Sequence, residues 1–163
     1  MVAMDRVDPE PVISVIIPAR NEESGLGACL ESLVTQTGIA FEIIVVDDHS
    51  SDRTPEIAAS FSNRGVRVIE AGSLPPAWTG KNNALVAGVR QACGQWLLFT
   101  DADTVHLPGS LARALDEARR RKASLLSYSP EQIVESFWEK AVMPVVFGEL
   151  AAAYRPSQVS DPN

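Results

Sequence analysis

Two carboxylates one residue apart, Asp101 and Asp103, follow the apolar run from Trp96 to Phe99. Such a pair can share a hard divalent cation, or divide between a cation and sugar hydroxyls. A plain Asp-rich turn would use the same residues, but their place just after a buried strand favours chemistry. Asp47 and Asp48 close a second apolar run, Phe41 to Val46. A carboxylate there can accept hydrogen bonds from a ribose or a base; the ordinary alternative is a cap on the next helix or turn. Asp48 is taken as the ligand contact and Asp47 as structural or indirect. Thr79-Gly80-Lys81-Asn82 opens a helix with a cation in its first turn. Lysine there opposes the helix dipole by roughly 0.3–1 kcal/mol, so an anion is expected nearby; the plainer reading is a solvated side chain. The stretch is not a Walker phosphate loop, since Pro75 stands where glycine is required and Asn82 where a hydroxyl residue is. Arg20 reads equally as a phosphate or base contact and as a surface arginine. His49 and His106 read as turn residues without a partner histidine at metal-ligand spacing, which argues against zinc. Trp78 reads as core rather than as an aromatic wall.

The elements that must position these residues follow from the apolar pattern. Val12 to Ile17 reads as a buried strand stopped by Pro18. Asn21 then caps a helix with Leu26, Cys29, Leu30, Leu33 and Val34 inside, and Gly38 lies past its end. After the strand Phe41 to Val46, Thr54 and Pro55 read as cap and first residue of a helix that turns Ile57, Ala58 and Phe61 inward. Val66 to Ile69 is a third strand. Thr79 caps a helix whose inner face is Leu85, Val86, Val89 and Ala92, and Trp96 to Phe99 is the fourth strand. Pro108 opens a helix with Leu111, Ala112, Leu115 and Ala118 inside; its end, Arg119 to Lys122, reads as a solvated terminus complementing the dipole. Ser124 to Ser127 reads as a short fifth strand. Strands that are continuous apolar runs, alternating with helices, imply an α/β, Rossmann-like fold with a mostly parallel sheet covered on both faces. Ligands of such sheets bind beyond the carboxyl ends of the strands, where Arg20 to Glu22, Asp47 to Ser50 and Asp101 to Asp103 all fall.

With 163 residues, 45% of them apolar, the chain suits one globular domain with a core of its own. Fourteen basic against 21 acidic side chains give a net charge of −7, which argues against nonspecific nucleic-acid binding. An acidic protein that takes a diphosphate needs a cation between the two. Cys29 and Cys93 lie in apolar helical patterns and read as buried free thiols of a reduced compartment. The first eleven residues lack an apolar signal core, and Ala141 to Tyr154 is too short and too charged to span a bilayer. The expected location is therefore cytoplasmic, at most peripheral at the inner face of a membrane.

The blocks ISVIIPARNEE (13–23), EIIVVDDHSSDRT (42–54), WTGKNNAL (78–85) and LLFTDADT (97–104), in that order, resemble the inverting family-2 glycosyltransferases of GT-A fold. PPAWTGKNNA and FWEKAVMP are also similar, more weakly, to a subgroup linked to hopanoid and other membrane-lipid pathways. The resemblance implies a nucleotide-diphosphate sugar donor and a divalent cation, Mg²⁺ or Mn²⁺. By position it places Ala19, Arg20 and Glu22 beside the nucleotide, and Asp48 on its base or ribose. Lys81 falls near the diphosphate, Asp101 near the ribose or metal, and Asp103 on the metal directly. His49 stands where the family more often has a small residue. The implied organisation is a tail (1–11), a nucleotide-sugar-binding α/β domain (12–128), and a helical segment that begins an acceptor half (129–163). The catalytic base is expected beyond Asn163, since the acids after Asp103 do not form the family's acidic pair. The chain is accordingly expected to be a donor-binding half, incomplete by itself, with a lipid or saccharide acceptor and a membrane surface as the partners to look for.

Three other readings compete with this one. LLFTDADTV resembles the nucleophile motif of haloacid-dehalogenase-type phosphatases, with Asp101 as nucleophile, but that motif usually lies near the N-terminus and needs a later lysine and acidic pair. A dinucleotide-dependent oxidoreductase fails because Gly25-Leu26-Gly27 runs on to Leu30 where glycine is required. A non-catalytic nucleotide-binding module differs from the enzyme only in activity. Finally, Ile133, Val134, Phe137, Trp138, Ala141, Val142, Val145 and Val146 form an apolar stripe at helical spacing. It reads either as a cover for the sheet or as a surface for an acceptor half, a membrane, or self-association through residues 133–150.

Overall fold

The computed structural model describes residues 11–128 and 131. Four strands, β1 (Ile13–Ala19), β2 (Phe41–Asp47), β3 (Val66–Glu70) and β4 (Trp96–Phe99), form one sheet in the order β3-β2-β1-β4. Every neighbouring pair is parallel, with Ile17 beside Val45 and Ile16 beside Phe99. Between and after them run the helices α1 (Leu26–Val34), α2 (Thr54–Ser60), α3 (Gly80–Val89) and α4 (Ser110–Arg121). The β-branched runs bury both faces of β1 and β2, as a central parallel strand requires.

The two faces carry separate cores. Ile13, Val15, Ile17, Ile43 and Val45 pack against Leu26, Cys29, Leu30 and Leu33 of α1, with Ala58 of α2 and Leu111 and Leu115 of α4. Ile16, Ile44 and Val46 face the other way, onto Ala84 of α3. This division follows from right-handed crossovers: stepping outward from β1 to β3 puts α1 and α2 on one face, and returning to β4 puts α3 on the other. The order reverses between β1 and β4, so a crevice opens beyond their carboxyl ends, the usual ligand position in open α/β sheets.

Several local expectations are corrected. Asn21 does not cap α1; the cap position is Gly25, without a side-chain bond, and Asn21 sits at φ 56° in the preceding loop. Thr54 is the first residue of α2 rather than its cap, and its amide donates to Asp52 Oδ1 at 3.0 Å. α4 starts at Ser110, after Gly109 in the left-handed region, rather than at Pro108. The fully buried residues of α3 are Ala84 and Gly88; Leu85 and, just past the helix, Ala92 pack against the same core partly buried, while Val89 is exposed. Small residues let this helix lie close on Ile16 and Val46. β4 is an edge strand among the described residues, with Leu97 and Phe99 exposed. Ser124 to Ser127 forms no strand, Cys93 is exposed, and Trp78 is 46% exposed rather than core. The stripe from Ile133 to Val146 lies outside the described residues. No helix among those described is long and apolar enough to cross a membrane.

Candidate active site

The loops leaving β1 and β2 are tied together by side chains that satisfy each other's backbone. Asn21 N donates to Ser50 Oγ at 3.0 Å, and Ser51 N returns to Asn21 Oδ1 at 2.8 Å. Glu22 N donates to Thr54 Oγ1 at 2.7 Å, Glu23 N to Asp52 Oδ2 at 3.1 Å, and Arg53 N to Glu23 Oε2 at 3.2 Å. Backbone groups beyond the sheet lose their ladder partners, and these polar side chains replace them. The positive φ of Asn21 and His49 belongs to the same pair of turns. The result is a cross-linked rim beside Arg20 and Asp48.

Asp47 and Asp48 are both buried but have different partners. Asp47 is buried, and its Oδ2 accepts from Ser50 N at 3.3 Å, a turn-stabilising role. Asp48 is anchored through its amide, which donates to Ala19 O at 2.8 Å. Its carboxylate, also largely buried, meets Arg20 Nη1 at 3.4 Å and His49 Nδ1 at 3.5 Å. Ala19 itself is buried, its carbonyl taken up by that amide. The first residue of α3 closes on the same carboxylate. A Cβ on Gly80 would lie 2.1 Å from Asp48 Oδ2, so a larger residue here would force Asp48 or the first turn of α3 to shift.

Thr79 caps α3 as expected, its side chain accepting from Asn82 N. That places Lys81 over the end of β4, with Nζ 2.6 Å from Asp101 Oδ1. The anion that the helix position called for is thus supplied by the protein itself. Asp101 to Thr104 is a turn closed by Thr104 N donating to Asp101 O at 3.2 Å. Ala102, the middle residue of Asp-x-Asp, is buried in the core, while both flanking aspartates are exposed. Close behind stands Gly25, where an added Cβ would come within 3.0 Å of Asp103 Cα. Glu22 belongs to the same cluster. Burial pushes its carboxyl up, and the nearby Asp103 and Asp101 push it further, against a smaller opposing pull from Lys81. Beneath the turn, burial and Asp103 push the Cys29 thiol up to about 12, so it is an inert core group. His106 is partly buried, and its Nε2 lies 3.0 Å from Thr100 Oγ1.

The donor set suits a hard cation. Among the described residues no three His, Cys, Asp or Glu side chains gather into a metal cage. Two exposed carboxylates completed by ligand oxygens are the usual holding of Mg²⁺ beside phosphates, whereas a zinc site would need more protein ligands. Sequence reasoning missed the Lys81–Asp101 pair, the Gly80–Asp48 closure and the proximity of Gly25 to Asp103. Each is a contact between segments distant in the chain, and only Gly80 carried a local hint.

Residues 14–160 match glycosyl transferase family 2. The chain belongs to this family. It is 33% identical to a 4,4'-diaponeurosporenoate glycosyltransferase of Staphylococcus aureus over 129 residues, 78% of this chain and 34% of that protein. The chain therefore spans about a third of the length of the curated relatives it matches. Glucosyl-3-phosphoglycerate synthase from Mycobacterium tuberculosis, solved with uridine diphosphate, superposes with a TM-score of 0.60 at 25% identity, over 93% of this chain and 53% of that one. A mannosyltransferase from Pyrobaculum calidifontis, solved with GDP-Man and Mn²⁺, gives 0.58 at 27% identity, over 67% of this chain and 32% of that one. The fold is the GT-A arrangement that the sequence blocks implied. Family membership also removes the phosphatase and oxidoreductase readings.

Proposed function

We propose that residues 12–128 form the donor-binding part of a glycosyltransferase that moves a sugar from a nucleotide diphosphate to an acceptor hydroxyl with inversion. The observation that carries the reading is the convergence of Asp48, Lys81, Asp101 and Asp103 on the crevice where the strand order reverses. In it Asp48, held by Arg20 and closed over by Gly80, accepts hydrogen bonds from the base or ribose. Arg20 and Glu22 flank the nucleotide, and Ala19 and Asp47 shape the floor. Lys81 turns its ammonium to the diphosphate, and its helix N-terminus adds a favourable partial charge. Asp101 and Asp103 would hold a divalent cation, Mg²⁺ or Mn²⁺, which when bound would offset the charge growing on the departing diphosphate. The cation complex of the Pyrobaculum relative supports that choice of cofactor.

The uridine diphosphate complex of the Mycobacterium relative makes UDP-sugars the first donors to try, and the GDP-Man complex makes GDP-sugars the second. The acceptor class is a lipid or a saccharide. The likeness to an enzyme named for an apolar carotenoid acid favours a lipid, and with it work at a membrane surface from the cytoplasmic side. Calorimetric titration of the chain with UDP-sugars and GDP-sugars, with and without Mn²⁺, tests the reading. Micromolar binding that needs Mn²⁺ is the expected result. Absence of binding for every nucleotide sugar would overturn it.

A further inference from the structure

Lys81 and Asp101 are both 60% exposed, yet their charged atoms are 2.6 Å apart. The contact puts an ammonium against one of the two carboxylates suited to a divalent cation. It also places that ammonium at the first turn of α3, where the helix dipole disfavours it. Among the described residues Asp103 has no ion-pair partner, and the negative charge around Glu22 comes first from Asp103 and then from Asp101. Lys81 is thus a local cation offsetting a cluster of carboxylates. Being exposed, the pair is weak, worth at most about fivefold in an equilibrium constant. It can therefore exchange.

We infer that Lys81 is an exchangeable counter-ion: it neutralises Asp101 until a nucleoside diphosphate arrives, then passes to the phosphates and releases Asp101 to a divalent cation. This rests on the donor-site reading above. Its consequence is an order of events. A cation alone meets an incomplete shell of two carboxylates, one already paired, and an ammonium that repels it. The diphosphate removes that ammonium and brings oxygen ligands, so the two ligands bind with positive and reciprocal coupling. Lys81 would act as a positioning residue whose charge moves from protein to ligand. A fixed ion pair would instead leave Asp103 as the lone protein ligand, and its ammonium would oppose the cation equally with and without the nucleotide, so that Lys81→Met would tighten Mn²⁺ by the same factor in both states.

The test is Mn²⁺ binding to the whole chain, read from the resonance of free Mn²⁺, without and with saturating uridine diphosphate. The parent is expected to bind Mn²⁺ weakly alone and at least about tenfold more tightly with the nucleotide. Lys81→Met should bind Mn²⁺ alone about fivefold more tightly than the parent, with smaller gain from the nucleotide. Lys81→Arg keeps the charge and should retain the parent's weak binding. Circular dichroism confirms that the variants fold, and Lys81→Gln serves should Lys81→Met not. Unchanged or weaker Mn²⁺ binding by Lys81→Met, in a chain that still couples Mn²⁺ to the nucleotide, would overturn the exchange and leave the donor-site reading standing. Equal tightening by Lys81→Arg would overturn it as well. A parent that binds no Mn²⁺ even with the nucleotide would overturn both.

Discussion

Replacing Gly80 by alanine tests how the first turn of α3 defines the nucleotide subsite. The new Cβ would stand 2.1 Å from Asp48 Oδ2 and 3.2 Å from Asp48 Cγ, well inside the 3.4 Å where ordinary contact begins. Two responses are open. The Asp48 carboxylate can rotate, giving up its 3.4 Å contact with Arg20, or the first turn of α3 can back away and carry Lys81 off Asp101. Crowding of this kind costs about 1–3 kcal/mol, and the helix preference of alanine over glycine returns up to about 1 kcal/mol. The net loss of stability is therefore at most about 3 kcal/mol, a fall in Tm of several degrees or more, and the chain still folds. Binding suffers more, because either response displaces a charged group proposed to touch the ligand. A lost hydrogen bond to a charged group is worth about 1.5–3 kcal/mol, or roughly ten- to hundredfold in affinity. Calorimetry with uridine diphosphate and Mn²⁺, beside a thermal melt, reads both quantities. Affinity within twofold of the parent, in a variant with an unchanged Tm, would refute the closure of Gly80 on Asp48.

Other consequences are simpler to check. Cys93 is exposed while the buried Cys29 thiol is pushed up to about 12, so a thiol reagent at pH 8 should label one cysteine quickly in the native chain. Cys93→Ser should abolish that fast phase, and persistent fast labelling would contradict the packing of α1. Burial lowers the His106 pKa below its ordinary 6.5, so the folded state binds this proton less readily than the unfolded state. His106 therefore contributes stability above about pH 6.5 that is lost as pH falls toward its folded value. Melts from pH 7.5 downward should fall less steeply for His106→Gln than for the parent, and parallel curves would remove His106 from the account.

The order of elements was legible because each strand is an uninterrupted apolar run and each helix an apolar stripe, signals that survive without tertiary information. The Thr79 cap was legible for the same reason, since the accepting hydroxyl oxygen and the amide that donates to it lie three residues apart. Asn21 shows the limit. Asparagine before an apolar stripe reads as a cap, but its carboxamide is claimed by Ser51, thirty residues away. The face of α3 was read only in part: Leu85 and Ala92 do pack on this core, but the fully buried positions are Ala84 and Gly88, because close approach to Ile16 and Val46 selects for small size, and Val89 is exposed. β4 was read as buried because an apolar run does not say whether its strand is central or at an edge. Asp101, Asp103 and Lys81 were picked out singly by residue type and local position. That Lys81 answers Asp101 follows only from the crossover that returns α3 to the far side of β1.

The central claim is that the Asp101–Asp103 turn holds a cation on behalf of a nucleotide diphosphate, and one measurement addresses it directly. Uridine diphosphate affinity is titrated by calorimetry with and without Mn²⁺, for the parent chain and for Asp103→Asn. Asp103 is exposed at a turn anchored by the buried Ala102, so the substitution leaves the fold intact. The account predicts that the parent's affinity rises at least about tenfold on adding Mn²⁺, and that this gain vanishes in Asp103→Asn. An equal Mn²⁺-dependent gain in both proteins would contradict it.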